Sequence, residues 1–213
     1  FSLEVAQNSQ HMHPRQMLRE LEKAMPKHAM VSTDIGNICS VSNSYLRFDE
    51  PRSMFAAMSF GNCGYAFPVA CGAKIAAPDR PAIAYVGDGA WGISLNELLT
   101  CAREKIGVTV VVFNNAQWGA EKKNHVDFYS RRFQAVNLDS PSWARVAQAF
   151  GCEGVTVDKL SDVGPALQAA VKAQAEGKCT VLEMMVTQEL GDPFRRDALS
   201  KPVRHLDKYR AYT

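Results

Sequence analysis

Three oxygen-bearing groups near the middle of the chain could together hold a divalent metal ion. Asp88 stands between two glycines directly after one apolar run, and Asn115 follows a second apolar run. Asp88 offers a carboxylate oxygen, Asn115 an amide oxygen, and the turn after it a backbone carbonyl, that of Gln117. Magnesium prefers near-octahedral oxygen coordination and commonly takes one or two carboxylates together with substrate phosphates. The three groups therefore predict a magnesium site with room for phosphate oxygens.

The glycines beside Asp88 would let the backbone approach a phosphate closely. Gly87 and Gly89 lack a Cβ atom, so they leave space for a ligand and tolerate conformations that other residues avoid. The N–H groups of Gly89 and Ala90 can then point at a phosphate. We therefore expect a phosphate cradle beside the metal.

Each of the two motifs directly follows an apolar run that predicts a buried strand, so each would lie at the carboxyl end of a strand. Residues 82–86 and 108–113 are apolar runs rich in β-branched and aromatic residues, which is typical of strands buried on both faces of a parallel sheet. Between them, a capping-box pattern from Ser94 to Glu97 and helically spaced leucines predict a helix that ends near Gly107. Such a crossover returns the second strand beside or near the first, and ligands of open α/β sheets bind outside these strand ends.

The remaining chain continues to alternate between helix and strand. This order predicts an α/β fold with a doubly wound, mainly parallel sheet and helices on both faces. Helices are predicted at 14–25, 64–77, 142–149 and 161–175, and further strands at 29–33, 154–157 and 179–186. We assign residues 1–187 to this domain. Residues 188–213 are charged and interrupted by prolines, so we interpret them as an arm over the surface or over a partner subunit.

Residues 87–92 also match G-x-G-x-x-G, the dinucleotide-binding fingerprint. A dinucleotide site needs an acidic residue at the end of the following strand to hold a ribose. Residues 111–115 read Val-Val-Phe-Asn-Asn and contain no acidic residue, which argues against this site. Asp88 would also face a pyrophosphate with no metal to offset the repulsion. The ordinary alternative is that the two motifs are unrelated polar turns. It would explain either motif alone, but it explains less well why both occur at strand ends.

Composition and charge exclude several function classes, but they do not themselves indicate a metal or phosphate site. The chain has 213 residues of which 46% are hydrophobic, enough for a substantial core, and its net charge of +2 argues against a nucleic-acid partner. It shows neither an apolar run of bilayer length nor a signal-peptide pattern, so we expect no membrane association. The six cysteines form no C-x-x-C pair, as expected of reduced thiols in a cytoplasmic protein.

The spacing of Gly-Asp-Gly and Asn-Asn resembles the signature of thiamine-diphosphate enzymes. In that family the Asp, the second Asn and a carbonyl two residues further bind the Mg²⁺ that anchors the diphosphate. The resemblance assigns these roles to Asp88, Asn115 and Gln117. Residues 31–37 resemble the strand and glycine turn that acetolactate-synthase-type enzymes place against the diphosphate, and residues 60–70 resemble their segment beside the cofactor.

The same resemblance implies contacts with thiamine diphosphate beyond the metal. Cys63 occupies a position where the family commonly has a methionine that supports the bent cofactor, and cysteine is smaller. Trp118 either forms a wall of the site or packs in the core or an interface. The residues predicted to contact the cofactor are Gly36, Asn37, Cys63, Gly87, Asp88, Gly89, Ala90, Asn115, Gln117, Trp118 and Gly119.

Residues 190–204 resemble the C-terminal part of a family member that cleaves sulfoacetaldehyde with phosphate to acetyl phosphate and sulfite. This implies a small-molecule sulfonate and phosphate as substrates and the thiazolium carbanion as nucleophile. Lys122, Arg195 and Arg196 are candidate anion contacts, since guanidinium groups suit phosphate or sulfonate; the two arginines also fit a basic pair on a surface tail. An acetolactate-synthase relative, the smaller subunit of a two-chain sulfopyruvate decarboxylase and a non-catalytic assembly or regulatory module remain alternatives.

A catalytic group is expected outside this chain. The family uses a glutamate to activate the aminopyrimidine ring and places it on a pyrimidine-binding domain, usually across a subunit interface. No segment here resembles that domain, and the chain begins at Phe1 rather than Met. We therefore expect a fragment of a longer polypeptide, inactive alone, that lacks the pyrimidine-binding and middle domains. We expect it to come from a homodimer or homotetramer in which the same or a partner subunit supplies the pyrimidine-binding domain.

Overall fold

The computed structural model describes residues 11–43 and 45–188, in which helices and strands alternate. The helices are α1 Pro14–Ala24, α2 Asn37–Ser42, α3 Ala66–Ala76, α4 Asp88–Ser94, α5 Leu98–Glu104, α6 Gly119–Phe128, α7 Trp143–Ala149 and α8 Leu160–Ala173, with short 3₁₀ turns at Leu95–Glu97 and Gln174–Glu176. The strands are β1 Met30–Thr33, β2 Met54–Ala56, β3 Ala82–Gly87, β4 Thr109–Asn114, β5 Glu153–Val157 and β6 Thr180–Met185.

The six strands form one sheet in the order β2-β1-β3-β4-β6-β5, and every neighbouring pair is parallel. The chain winds from β1 to β2 in one direction and then to β3 and β4 in the other. The strand order therefore reverses between β1 and β3, which is where open α/β sheets place their ligand crevice. The predicted doubly wound parallel fold is confirmed.

Alternate residues of the central strands enter two separate apolar clusters, one on each face of the sheet. On one face, Tyr85 and Val111 are buried with residues of α1 and α8, which also contact each other. On the other face, Val86 and Val112 are buried with Trp91 and with residues of α3, α5 and α7. A strand with both faces covered is expected to be apolar at nearly every position, which explains the long apolar runs of β3 and β4.

Most of the predicted elements lie within a few residues of the observed ones. Ser142 caps α7 as predicted, because its Oγ accepts a hydrogen bond from the Arg145 N–H at 3.3 Å. Pro68 lies in the first turn of α3, where its missing N–H costs no helical hydrogen bond.

The capping-box interpretation of Ser94 is wrong. Helical structure already begins at Asp88, and Ser94 has φ −117° and ψ −1° and makes no capping hydrogen bond with its side chain. A capping serine needs an extended backbone before the helix, and Ser94 instead lies inside a helical run from α4 to α5. That run ends at Lys105, whose φ is 55°, rather than at Gly107.

Candidate functional site

The two polar motifs leave the sheet side by side. Strands β3 and β4 are hydrogen-bonded neighbours in which Gly87 pairs with Phe113. Asp88 follows Gly87 at once as the first residue of α4, and Asn115 follows the last residue of β4. The register therefore brings the predicted metal ligands to the same edge of the sheet.

Asp88 is a buried carboxylate, and only one of its two oxygens accepts a hydrogen bond from the described residues. Its Oδ1 accepts a hydrogen bond from the Gly89 N–H at 3.0 Å, so this amide, which we expected to point at a phosphate, already has a partner. Its Oδ2 is buried and lacks a hydrogen-bond partner among the described residues. Burial raises the pKa of Asp88 to about 6, although the backbone N–H groups of Gly89, Ala116 and Gln117 oppose the increase. A cation beside Oδ2 would compensate for the lost solvation.

The loop from Asn115 to Gln117 has a turn that leaves one carbonyl available. Ala116 has φ 54°, in the left-handed region that residues with a Cβ atom rarely adopt. The Trp118 N–H donates to the Val136 carbonyl at 2.8 Å, and the Leu138 N–H donates to the Ala116 carbonyl at 2.9 Å. These two hydrogen bonds flank Gln117 without using its own carbonyl, so that carbonyl remains available to a metal.

Two glycines allow larger side chains to close over the backbone of the site. A Cβ atom on Gly89 would lie 2.7 Å from the Trp118 indole, and one on Gly119 would lie 2.8 Å from Asn37 Nδ2. Carbon atoms pack at about 3.5–4.0 Å, so only glycine permits these approaches. The side-chain Oδ1 and Nδ2 of Asn37 are buried, and neither has a hydrogen-bond partner in the described part of the chain. Both atoms are therefore available to a ligand.

A cavity of about 410 Å³ opens at this edge of the sheet. All the residues predicted to contact the cofactor line it: Gly36, Asn37, Cys63, Gly87, Asp88, Gly89, Ala90, Asn115, Gln117, Trp118 and Gly119. Burial raises the pKa of the Cys63 thiol to about 11, and the charges of Asp34 and Glu121 contribute to the increase. Cys63 is therefore a neutral side chain of the wall at physiological pH.

Sequence reasoning missed the other half of the lining, which is mainly apolar. These residues are Pro14, Leu18, Ile35, Ile38, Val41, Met58, Gly61, Phe113, Ala120, Glu121 and Val186. Leu18 did have a visible signal, its place in a helical apolar pattern, but that pattern indicates burial and not what the residue is buried against. Ile35 and Gly61 lie within residues 31–37 and 60–70, the two segments that resemble cofactor-contacting segments of the family, although neither was predicted as a contact. No motif marks the others as cofactor contacts.

Of the three candidate anion contacts, Lys122 is described and is not among the residues that line the cavity. Lys122 lies beside the cavity, where its ammonium donates to the side-chain oxygens of Gln117 at 2.9 Å, Asn137 at 3.0 Å and Gln188 at 3.4 Å. Burial lowers the pKa of Lys122. Arg195 and Arg196 lie outside the described residues.

The groups around the cavity fit a magnesium ion bound together with a diphosphate. Asp88 would supply one carboxylate and Asn115 and Gln117 would supply neutral oxygens, so phosphate oxygens would complete the coordination. Among the described residues there is no cluster of three or more His, Cys, Asp or Glu side chains that could hold a metal alone. Separately, none of the helices within residues 11–43 and 45–188 has the length and apolarity needed to cross a membrane.

Solved structures with the same fold include a thiamine diphosphate-dependent 4-hydroxybenzoylformate decarboxylase from Rhodococcus jostii RHA1. The match has a TM-score of 0.79 at 22% identity and covers 86% of this chain and 34% of that one. At this identity the similarity concerns the fold alone.

Curated proteins show much higher identity. The chain is 68% identical over 203 residues to the sulfoacetaldehyde acetyltransferase of Castellaniella defragrans and 69% identical to that of Alcaligenes xylosoxydans xylosoxydans. An acetolactate synthase from Mycobacterium bovis is 29% identical over 176 residues. The chain spans about a third of the length of the two acetyltransferases, since the matches cover 95% of this chain and 34% of each relative.

The family model described as "Thiamine pyrophosphate enzyme, C-terminal TPP binding domain" matches residues 34–184. Thiamine pyrophosphate is another name for thiamine diphosphate. The matched segment runs from the end of β1 into β6 and includes the predicted metal ligands Asp88, Asn115 and Gln117. The chain therefore belongs to the thiamine pyrophosphate enzymes, within their C-terminal TPP-binding domain family.

Proposed function

We propose that this chain is the diphosphate-binding part of a sulfoacetaldehyde acetyltransferase, which converts sulfoacetaldehyde and phosphate to acetyl phosphate and sulfite. The observation that carries this proposal is the 68% identity, over 95% of the chain, to a protein of that name. The acetolactate synthases that match are far less similar, at 29% identity. An acetolactate-synthase-like reaction is therefore the weaker candidate.

In this proposal the chain's polar groups would anchor the cofactor. Asp88, Asn115 and the Gln117 carbonyl would hold Mg²⁺, and the backbone from Gly87 to Ala90 would contact the diphosphate. When bound, thiamine diphosphate supplies the carbon nucleophile of the reaction. Supporting these roles are the buried Oδ2 of Asp88 and the carbonyl of Gln117, neither of which has a hydrogen-bond partner among the described residues.

The remaining lining residues would hold the cofactor in place and exclude water. Trp118 lies directly over Gly89, and Asn37 lies over Gly119. Both side chains would close on the bound cofactor from the neighbouring loops. Cys63, a neutral thiol on the wall, would contact the cofactor without donating charge.

Substrate anions would meet the chain at the edge of the cavity. Lys122 is held there by three neutral amide oxygens, so its positive charge remains available to a sulfonate or phosphate. Arg195 and Arg196 stay candidates for the same role. The substrates are small molecules, and the proposal includes no nucleic-acid or membrane partner.

The proposal also includes groups from outside the chain. We assign residues 1–187 to the cofactor-binding domain, within a longer polypeptide that carries a pyrimidine-binding domain and its activating glutamate. The predicted arm at 188–213 lies, apart from Gln188, outside the described residues. A homodimer or homotetramer would bring the two domain types together. We place the enzyme in the cytoplasm, where thiols stay reduced; the five cysteines at positions 63, 71, 101, 152 and 179 are free.

Calorimetric titration of the protein in its native assembly tests the metal and cofactor roles. Thiamine diphosphate is titrated with and without Mg²⁺ into the wild type, into Asp88→Ala and into the control Asp79→Ala, whose exposed carboxylate lies in the loop before β3, at the opposite end of that strand. We expect Mg²⁺-dependent binding in the wild type and control and its loss in Asp88→Ala. Equal binding by all three proteins would refute the metal-site assignment.

An assay of sulfite release tests the reaction. Sulfoacetaldehyde is supplied with and without phosphate, and acetyl phosphate is measured in parallel. The proposal expects phosphate-dependent release of both products in equal amounts. Consumption of pyruvate without sulfite release would favour the acetolactate-synthase-like alternative, and cofactor binding without any turnover of either substrate would favour a non-catalytic module.

A further inference from the structure

A buried glutamate lies beneath the loop that carries the proposed metal ligands. Glu183 is in β6, opposite Val112 of β4 and Thr156 of β5, and is 2% exposed. Asn114 lies two residues after Val112 and therefore shares its face of the sheet. The strand register thus brings Glu183 close to the last residue of β4.

The carboxylate of Glu183 is fully enclosed by neutral donors. Its hydrogen bonds come from Asn114 Nδ2 at 2.9 Å and the Trp143 N–H at 3.0 Å to Oε1, and from Ser142 Oγ at 2.9 Å, Thr156 Oγ1 at 3.0 Å and the Ala144 N–H at 3.2 Å to Oε2. Burial acts to raise the pKa of Glu183, but these hydrogen bonds, led by that from the Trp143 N–H, outweigh it and lower the pKa. The side chain is therefore an anion, and an anion only accepts hydrogen bonds.

This anion determines which way the Asn114 amide faces. An asparagine side chain has a donating and an accepting end, and Glu183 accepts from the donating end. The accepting end, Oδ1, then faces the loop, where it receives a hydrogen bond from the Ala116 N–H at 3.3 Å. Ala116 is the residue with φ 54° between Asn115 and Gln117.

We propose that Glu183 is a positioning residue for the metal-binding loop, acting through Asn114 on the turn at Ala116. Glu183 fixes the orientation of the amide, the amide holds the turn, and the turn presents Asn115 and the Gln117 carbonyl to the metal. The inference rests on the proposed Mg²⁺ and thiamine diphosphate site. Groups that orient metal ligands from behind commonly change metal affinity by about 10–100-fold when removed.

Two substitutions that each remove one hydrogen bond to Glu183 provide a matched test. Asn114→Ala removes the bond on the loop side, and Thr156→Val removes one on the side away from the loop. Mg²⁺ affinity is measured by calorimetry on the assembled protein with saturating thiamine diphosphate, and stability by urea unfolding. We expect Asn114→Ala to weaken Mg²⁺ binding by about 10–100-fold and Thr156→Val to lower stability with unchanged Mg²⁺ affinity.

Glu183 itself is tested by Glu183→Gln, which keeps the shape and removes the charge. We expect weaker Mg²⁺ binding, and the double variant with Asn114→Ala should bind no more weakly than Asn114→Ala alone, because one acts through the other. If Glu183→Gln does not fold, Glu183→Asp replaces it, since it keeps the charge and shortens the reach to Asn114.

The possible outcomes separate this inference from the proposed function. A wild type that binds no Mg²⁺ with thiamine diphosphate contradicts the proposed function and this inference with it. Normal wild-type binding together with wild-type affinity in Asn114→Ala or in the Glu183 variant overturns the positioning role alone. An equal loss of affinity in Thr156→Val also overturns it, because the effect would then be a general loosening of the sheet.

Discussion

Replacing two glycines of the same helix by alanine should change stability in opposite directions. Gly89 and Gly92 both lie in α4, in its first turn and in its interior. A Cβ atom on Gly89 would lie 2.7–2.8 Å from three atoms of the Trp118 ring. A Cβ atom on Gly92 would come no closer than 3.8 Å to Trp143, an ordinary contact distance. Gly92→Ala is therefore the matched control for Gly89→Ala.

The expected size of the difference follows from helix propensity and from packing. Alanine in place of glycine stabilises a helix by about 0.5–1 kcal/mol, less in the first turn, so Gly92→Ala should be stabilising. Gly89→Ala gains no more than this but forces the Trp118 ring outward, and overpacking of this kind typically costs about 1–3 kcal/mol. The two variants should therefore differ by about 1–4 kcal/mol in free energy of unfolding.

Urea unfolding followed by circular dichroism gives this difference directly. For a domain of this size each kcal/mol also corresponds to about 2–4 °C in Tm. Because Trp118 and the Gly89 backbone both line the cavity, Gly89→Ala should also weaken binding of thiamine diphosphate with Mg²⁺, while Gly92→Ala should not. If Gly89→Ala is as stable as Gly92→Ala and binds the cofactor equally well, the close contact between Trp118 and Gly89 is absent in solution.

Two further predictions concern buried polar groups. The Gln174 side chain accepts from the Ala82 N–H at 3.1 Å and donates to the Ala82 carbonyl at 2.9 Å. Gln174→Leu removes both hydrogen bonds and takes this acceptor from the buried Ala82 N–H, so it should cost about 1–3 kcal/mol in urea unfolding; a loss no larger than that of an exposed Gln148→Leu would contradict this. For Glu183, a folded-state pKa below its usual 4.5 means that the ionised form stabilises the fold at higher pH and that this contribution disappears as pH falls through the lowered pKa. The stability gap between wild type and Glu183→Gln should thus be constant from neutral pH down to about the unfolded-state pKa and narrow below it; a gap that stays constant in acid would refute the assignment.

The sequence predicted elements wherever burial on both sides of the sheet leaves a local pattern. Strands β3 and β4 are apolar at nearly every position because each face is covered by helices. Strand β2 was missed because it is an edge strand of three residues and begins at the exposed Met54. An element that short buries too little to leave a pattern. Helix α4 was missed because its two glycines resemble a loop.

Some residues of the candidate site could be predicted from the sequence around them, whereas others are brought there only by the order of strands in the sheet. Asp88 and Asn115 could be placed because each directly follows a strand that the sequence already reveals. Glu183 could not, because β6 inserts between β4 and β5 in the sheet, and no local pattern specifies that order. The hydrogen bond between Asn114 and Glu183 joins residues 69 positions apart, so the contact exists only once the sheet has formed.

The charges around the cavity explain why metal and cofactor should bind together. Of the described residues that line it, Asp88 and Glu121 are the charged ones, and both are acidic. A diphosphate alone would meet negative charge in a partly buried space, where repulsion is screened less than in water. A magnesium ion alone would find one carboxylate and neutral oxygens. Protein sites for Mg²⁺ usually provide one or two carboxylates together with the negatively charged oxygens of a phosphate ligand. Each partner supplies the charge that the other lacks, so each should raise the affinity for the other by the same factor. Lys122 does not remove this requirement, because it is not among the described residues that line the cavity and its charge therefore lies beside the site rather than in it.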